Sequence, residues 1–313
     1  MKHRSSILSL STFVAVIILV EVIWGWSTLL SFWQALPVSS LILFTFLYWF
    51  SYLVRSLRIS IYFNSDKIRL PTRIVLPIVV KQTFWANLLP AKAGEISFPI
   101  LMKRAFDTPY THSVPALLVL RLFDAYVLAS IALGLILVQW SALALAIWLM
   151  IALLIPLLGV NLRKQSIGLV YRFRATKKAR FFWRILSSIP DQYSTLIKMT
   201  ALSWLNWAVK IFLFAALLAS MTPFELQQTI LGALFGEVSG MLPGLPGGFG
   251  SYEAAVSFGL LTHATEQIAI DKSLIVAAAL NSHFFILFNS VVGAIIAFLL
   301  PKKLTTPEAS DDK

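Results

Sequence analysis

Thr229-Ile-Leu-Gly-Ala-Leu-Phe-Gly-Glu-Val-Ser-Gly-Met-Leu-Pro-Gly-Leu-Pro-Gly-Gly-Phe-Gly-Ser-Tyr-Glu253 decides the fold. Its apolar part, 229–242, is shorter than the about 20 helical residues that cross a bilayer core. It runs into Pro243-Gly-Leu-Pro-Gly-Gly-Phe-Gly250, and neither proline nor consecutive glycines continue a regular helix comfortably. A second short run, 74–89, ends similarly, in Leu89-Pro-Ala-Lys-Ala-Gly94. The other apolar runs, 7–32, 38–63, 114–140, 142–160, 196–221 and 274–300, are at or near spanning length. Two interrupted segments therefore sit among six full ones.

Composition sets the solvent. Of 313 residues, 58% are apolar and 13% charged, and mean hydropathy is +0.81. A soluble domain is about 45–50% apolar and about 25% charged, and much of any folded surface stays exposed. A water-soluble enzyme is excluded, and so is a disordered chain. The absence of cysteine removes any disulfide framework, thiolate metal site or thiol nucleophile. The first run, 7–32, reads as a retained helix rather than a cleaved leader. It is too long, contains Glu21 and lacks a convincing small-residue cleavage site.

The net charge of +12 is distributed unevenly. Lys2 and Arg4 precede the first run; Arg55, Arg58, Lys67, Arg69 and Arg73 accompany the second connection; Lys103 and Arg104 precede run 114–140. The segment 161–194 adds Arg163, Lys164, Arg172, Arg174, Lys177, Lys178, Arg180 and Arg184, and the tail adds Lys302, Lys303 and Lys313. The opposite connections hold Lys272 alone. The positive-inside rule then expects both termini and segment 161–194 in the cytoplasm, and 263–272 outside. Segment 161–194 reads first as a topology determinant, next as a site for anionic headgroups, and least as a nucleic-acid patch.

Charge bookkeeping makes both short runs re-entrant. Were 74–89 to cross, Lys103 and Arg104 would land outside. The return arm, 94–104, is 11 residues, about 16 Å long against a core about 30 Å thick. Segment 71–104 is expected to enter from the cytoplasm and 225–262 from outside. Unwound backbone at membrane depth is tolerated only where protein or a wet cavity receives it. Repeat one, 38–140, and repeat two, 196–300, then have opposite topology, an arrangement by which many transporters build a site near the midplane. The expected fold is an all-α polytopic membrane protein: a single transmembrane domain over 1–313, with first helix 7–32, connecting helix 142–160, basic loop 161–194 and polar tail 301–313.

Ionisable groups within spans are expensive and mark candidate sites. They are Glu21, Lys81, Lys92, Glu95, Arg121, Asp124, Lys210, Glu237 and Glu253. Lys198 lies near a helix start and snorkels. Glu21 and Lys210 read as isolated. Arg121 and Asp124, three apart on one helix, share a face and can pair, for structure or for function. Half-helices starting after Gly94 and Gly250 offer N–H groups to an anion. Lys81, Lys92 and Arg121 would add positive charge suited to a phosphate, with Glu95, Glu237, Glu253 and Asp124 balancing it or carrying protons. Gly232, Gly236, Gly240 and Gly244 form a small-residue stripe for close helix packing. Trp24, Trp26, Trp33 and Trp140 read as an interfacial belt. No histidine is expected beside a tip; His283 reads as a packing residue of the last helix.

Three motifs carry a resemblance: Asn87-Leu-Leu-Pro-Ala-Lys-Ala-Gly-Glu95, Arg121-Leu-Phe-Asp124 and Pro246-Gly-Gly-Phe-Gly-Ser-Tyr-Glu253. In order and in content the chain resembles the lysylphosphatidylglycerol synthase transmembrane, flippase-like family. The chain departs from the family pattern at Ser97-Phe98-Pro99, where a basic residue is common, and at Leu120, where Glu is common. The resemblance implies a lipid flippase for an anionic phospholipid or a polyprenyl-phosphate-linked sugar, in the bacterial-type cytoplasmic membrane. Lys81, Asn87, Lys92, Glu95, Arg121, Asp124, Glu237, Gly247, Gly248, Gly250 and Glu253 would bind substrate. No cofactor or metal is expected, and lysyl transfer is not expected, since 161–194 is too short to fold a transferase domain. Partners are membrane lipids, with glycosyltransferases or other envelope-biosynthesis proteins alongside and no nucleic acid. The alternatives are a membrane enzyme acting on a lipid phosphate and an accessory scaffold for membrane glycosyltransferases. Metal-dependent enzymes of that kind need clustered carboxylates, and only Asp124 among the aspartates lies in a span.

Overall fold

The computed structural model describes residues 2–64, 70–172, 176–242, 245–262 and 271–300. The expectations for Lys67, Arg69, Arg174, Gly244, the tail and most of 263–272 lie outside these residues, as do the side chains of Lys92 and Arg172. Every described element is helical. The order is α1 (Lys2–Ile23), α2 (Trp26–Ala35), α3 (Val38–Phe63), α4 (Thr72–Leu88), a 3₁₀ turn (Pro90–Ile96), α5 (Ser97–Phe106), α6 (Tyr110–Leu137), α7 (Ala142–Arg172), α8 (Lys177–Ser187), α9 (Tyr193–Ala219), α10 (Leu226–Ser239), a second 3₁₀ turn (Pro246–Gly248), α11 (Ser251–Leu261) and α12 (Lys272–Leu299). Helices α3, α6, α9, α12 and the Ala142–Gly168 part of α7 are long and apolar enough to span a bilayer; α1 and α2 together make a sixth, bent candidate. This is an all-α polytopic membrane protein.

The first run is not one helix. The chain turns by 84° between α1 and α2, at Gly25, whose φ of +74° lies in the left-handed region. The backbone N–H of Trp26 donates to Glu21 Oε2 at 3.0 Å, so Glu21 is a bracing group rather than an isolated charge. The connecting helix also runs past residue 160. Helix α7 continues to Arg172, and the basic segment holds a further helix, α8, capped by the Thr176 hydroxyl that accepts from the Ala179 N–H at 3.1 Å. The apolar run marked only the part of α7 suited to lipid; helix-forming polar residues extend it beyond. Leu143, Met150, Leu153, Leu154 and Leu158 of α7 are exposed, as expected of a lipid-facing surface.

The chain forms two compact units that interleave along the sequence. The first comprises Met1–Tyr52, Val80–Ser97 and Ala208–Leu299; the second comprises Leu53–Val79, Phe98–Trp207 and Leu300–Lys313. In the first unit, indole N–H groups dock onto polar positions along α12. Trp24 Nε1 donates to Ser273 Oγ at 2.9 Å, Trp33 Nε1 to Asn281 Oδ1 at 2.7 Å, and Trp49 Nε1 to Asn289 Oδ1 at 3.2 Å. Buried Val20, Leu29, Ala277 and Leu280 form the apolar core beneath them. Two tryptophans expected in the interfacial belt, Trp24 and Trp33, thus turn inward to pin α12, whereas Trp140 remains exposed.

Helices α10 and α11 pack backbone to backbone in the same unit. A Cβ added at Gly259 would lie 2.6 Å from the Leu231 carbonyl oxygen and 2.7 Å from the Gly232 Cα. Gly232 faces Leu260, and Gly236 faces Val256 and Tyr252. The small-residue stripe therefore stops at Gly236. Gly240 ends α10 against the Glu237 carbonyl, and Gly259 on the opposite helix completes the contact.

Candidate functional site

Polar chemistry is buried in each unit. In the second unit it centres on Asp124 of α6. Arg58 of α3 grips this carboxylate with both terminal nitrogens, Nη1 to Oδ1 at 2.6 Å and Nη2 to Oδ2 at 3.2 Å. Arg58 Nη1 also donates to Ser203 Oγ at 2.8 Å, and Trp207 Nε1 donates to Asp124 Oδ1 at 3.0 Å. Arg58 is 3% exposed and Asp124 likewise 3%. A bidentate, charge-assisted contact of this kind is the strongest hydrogen-bonded pair a side chain can make. The expected Arg121–Asp124 pair exists, but weakly: Arg121 Nη1 stands 3.6 Å from Oδ2, beyond good hydrogen-bond length. Arg58, grouped by sequence with the second connection, is the true partner of Asp124. Two guanidinium groups thus reach one carboxylate, and 27% of the Arg121 side chain is exposed.

In the first unit the chemistry gathers at the second tip. Gly247, Gly248 and Gly250 have φ of 73°, 83° and 79°, so the backbone coils through the left-handed region that glycine alone enters at low cost. Glu253, in the first turn of α11, accepts from the Gly250 N–H through Oε2 at 2.7 Å. Its other oxygen, Oε1, lies 2.6 Å from His283 Nδ1, and His283 Nε2 lies 2.7 Å from the Gly247 carbonyl oxygen. The imidazole is 3% exposed, with the Phe249 and Tyr252 rings at centroid distances of 4.8 Å and 4.6 Å. The Tyr252 hydroxyl pairs with Ser282 Oγ at 3.0 Å. The expectation that no histidine stands beside a tip is overturned: His283 is the post on which the second tip is hung.

Lys210 is not isolated either. Its Nζ lies 2.6 Å from Glu237 Oε2, joining α9 to α10 in a buried ion pair, while Glu237 Oε1 has no hydrogen-bond partner. At the first tip, Gly94 is pressed against the end of α4, where a Cβ would overlap the Trp85 carbonyl. Glu95 is half-buried within the turn. Asn87 Nδ2 and Ser97 Oγ, on either side of it, are buried without partners. Lys81 reaches back over the Phe298 ring at 4.9 Å, a cation–π contact. The two 3₁₀ turns lie against each other, and α1 packs on the second.

Glu237, Gly247, Gly248, Gly250 and Glu253 are thus gathered with the first-tip residues in the first unit, while Arg121 and Asp124 belong to the second. Arg58, Ser203, Trp207, Tyr252, Ser282 and His283, which sequence did not mark, complete the two clusters together with Lys210, which it marked but read as isolated. A usable signal existed for three of the unmarked residues: the polar triplet Asn281-Ser-His283 interrupts an apolar helix, and Arg58 lies inside run 38–63. A family model described as the lysylphosphatidylglycerol synthase TM region matches residues 6–293. No curated protein and no solved structure matches the chain significantly.

Proposed function

The chain belongs to the lysylphosphatidylglycerol synthase transmembrane-region family, and from that premise we propose that it translocates an anionic lipid, a phospholipid or a polyprenyl-phosphate-linked sugar, between leaflets. Membership places it among membrane proteins of lipid modification or transport; translocation is the finer reading. The observation that carries it is the second guanidinium at Asp124: Arg58 takes the carboxylate in a bidentate contact, while Arg121 stands 3.6 Å from it and keeps 27% of its side chain exposed. Each charged group within a span opposes insertion by about 2.5–3.5 kcal/mol on translocon scales. Arg121, more exposed than Arg58, can meet a lipid phosphate in bidentate geometry. In the first unit, taken by itself, the partnerless donors Asn87 Nδ2 and Ser97 Oγ at the first tip suit a polar group of a lipid. In this reading the chain transports rather than catalyses, its lipid is its partner, and envelope-biosynthesis enzymes supply or consume that lipid.

Reconstitution in liposomes with labelled phosphatidylglycerol, phosphatidylcholine and polyprenyl phosphate, scored by leaflet exchange, tests it. The parent protein is expected to exchange anionic lipids faster than phosphatidylcholine. Arg121→Lys is expected to slow that exchange about tenfold, equivalent to about 1.4 kcal/mol, with an unchanged melting temperature. Exchange at the parent rate would refute a phosphate contact by Arg121, and no exchange of any lipid by the parent would refute translocation.

We further propose, from the lysine and arginine distribution, that both termini and α8 lie in the cytoplasm and that the two hairpins insert from opposite sides, and, from the family resemblance, that the membrane is a bacterial-type inner membrane. The chain has no cysteine of its own, so Lys178→Cys on exposed α8 is a unique reporter. It is expected to resist an impermeant maleimide on intact cells and to react after permeabilisation. Labelling of intact cells would invert the topology.

A further inference from the structure

The hydrogen bonds around His283 allow one proton count. A carbonyl oxygen only accepts, so Nε2, facing Gly247 O at 2.7 Å, carries a proton. Across the 2.6 Å gap to Glu253 Oε1, one further proton lies between nitrogen and oxygen. With none, a nitrogen lone pair would face a carboxylate; with two, N–H would face O–H. Glu253 Oε2 is already committed to the Gly250 N–H. The pair is therefore neutral overall and holds the tip in one protonation state alone.

We propose that His283 and Glu253 form a proton-binding site that latches the second tip, and that binding one more proton opens it. The added proton bonds to Glu253 Oε1, and the Oε1···H–Nδ1 contact breaks, leaving a neutral carboxylic acid beside an imidazolium that keeps both its protons. An imidazolium no longer held at Nδ1 can rotate and carry Nε2–H away from Gly247 O, and the three left-handed glycines then permit the turn to uncoil. Among the described residues, Lys272 stands at the start of α12, and the other ionisable groups on the elements packed here have contacts of their own, Glu237 keeping one partnerless oxygen. Glu237 of α10 is paired with Lys210 of α9; Tyr252 of α11 is bonded to Ser282; Glu95 lies in the first turn; and Glu21 of α1 accepts from the Trp26 N–H. Gly250 and Ser251 are exposed, which brings the site to the surface of its unit. Because the second tip packs against the first, where the partnerless donors of Asn87 and Ser97 sit, its release changes the place offered to a headgroup. That last consequence rests on the translocation reading; the latch itself does not.

The test is a distance measurement on the full chain in liposomes, with spin labels on cysteines at Leu245 of the tip and Val291 of α12, both exposed. A single short distance is expected at about pH 8, and a longer population, several-fold enriched, at about pH 5. In the Glu253→Gln/His283→Gln double variant, where nothing at the site titrates, the distribution is expected to be the same at both pH values. Tyr252→Phe, which keeps the pair, is expected to respond as the parent does. A parent distribution unmoved by pH, or a double variant that moves as the parent does, would overturn the latch. Lipid exchange measured on the same liposomes separates the two proposals. Movement of the tip without exchange refutes translocation and leaves the latch standing, whereas exchange without movement of the tip refutes the latch.

Discussion

Asp124→Asn is expected to destabilise the protein by about 3–5 kcal/mol, the cost of stranding a buried charge by removing its partner. Arg58 is 3% exposed and both its terminal nitrogens end on this carboxylate. Its Nε already lacks a partner, and its one other hydrogen bond among the described residues, to the neutral Ser203 hydroxyl, does not replace the lost counter-charge. The measurement is the thermal midpoint of the purified protein in detergent, read beside lipid exchange. Replacing both members, Arg58→Met with Asp124→Leu, is expected to recover most of the loss, since a packed apolar pair often matches a buried ion pair. Full stability in Asp124→Asn alone would show that Arg58 does not depend on this carboxylate. Parent-rate exchange by the apolar double variant would make the cluster a structural tie and remove it from the transport mechanism.

The second large effect lies at Gly259. Its added Cβ would meet backbone, the Leu231 carbonyl and the Gly232 Cα and nitrogen, all within 2.7 Å. Backbone does not step aside as a flexible side chain does, so Gly259→Leu is expected to force α10 from α11 and leave little folded protein. Gly259→Ala is expected to lower stability by about 1–3 kcal/mol, the usual range for overpacking. Gly159 of α7 is the internal control, because a Cβ there meets nothing within 4 Å. Gly159→Ala is expected to be neutral or slightly stabilising, as alanine favours the helix. Equal melting of the two alanine variants would mean that the close contact contributes nothing.

Much of the site was legible because it obeys local rules. Asp124, Glu237 and Glu253 stood out as charges in apolar runs, and the tips were marked by proline and glycine. The prediction of a contact between Arg121 and Asp124 was right in kind, since residues three apart share a helix face, but wrong in weight. Helix α3 brings Arg58 closer to the same carboxylate from 66 positions away. His283 and Lys210 were misread for one reason: each looks solitary along its own helix and acquires its partner, Glu253 or Glu237, only when another helix is laid beside it. The bend at Gly25 escaped notice because hydropathy does not change across Trp-Gly-Trp, whereas the left-handed φ there appears only in the folded backbone.

Sequence by itself determined that this chain is a membrane protein of helices, where those helices begin to fail, and which charges the bilayer would resist. Those are properties of single segments: hydropathy over about 20 residues, and the backbone preferences of proline and glycine. Tertiary structure alone decided which charges neutralise one another and that Gly259 rather than Gly240 closes the α10–α11 contact. The reason is that a buried charge is stabilised by the group nearest in space, and in a helical bundle that neighbour comes from another helix. Its identity depends on helix rotation and depth, which no single segment encodes.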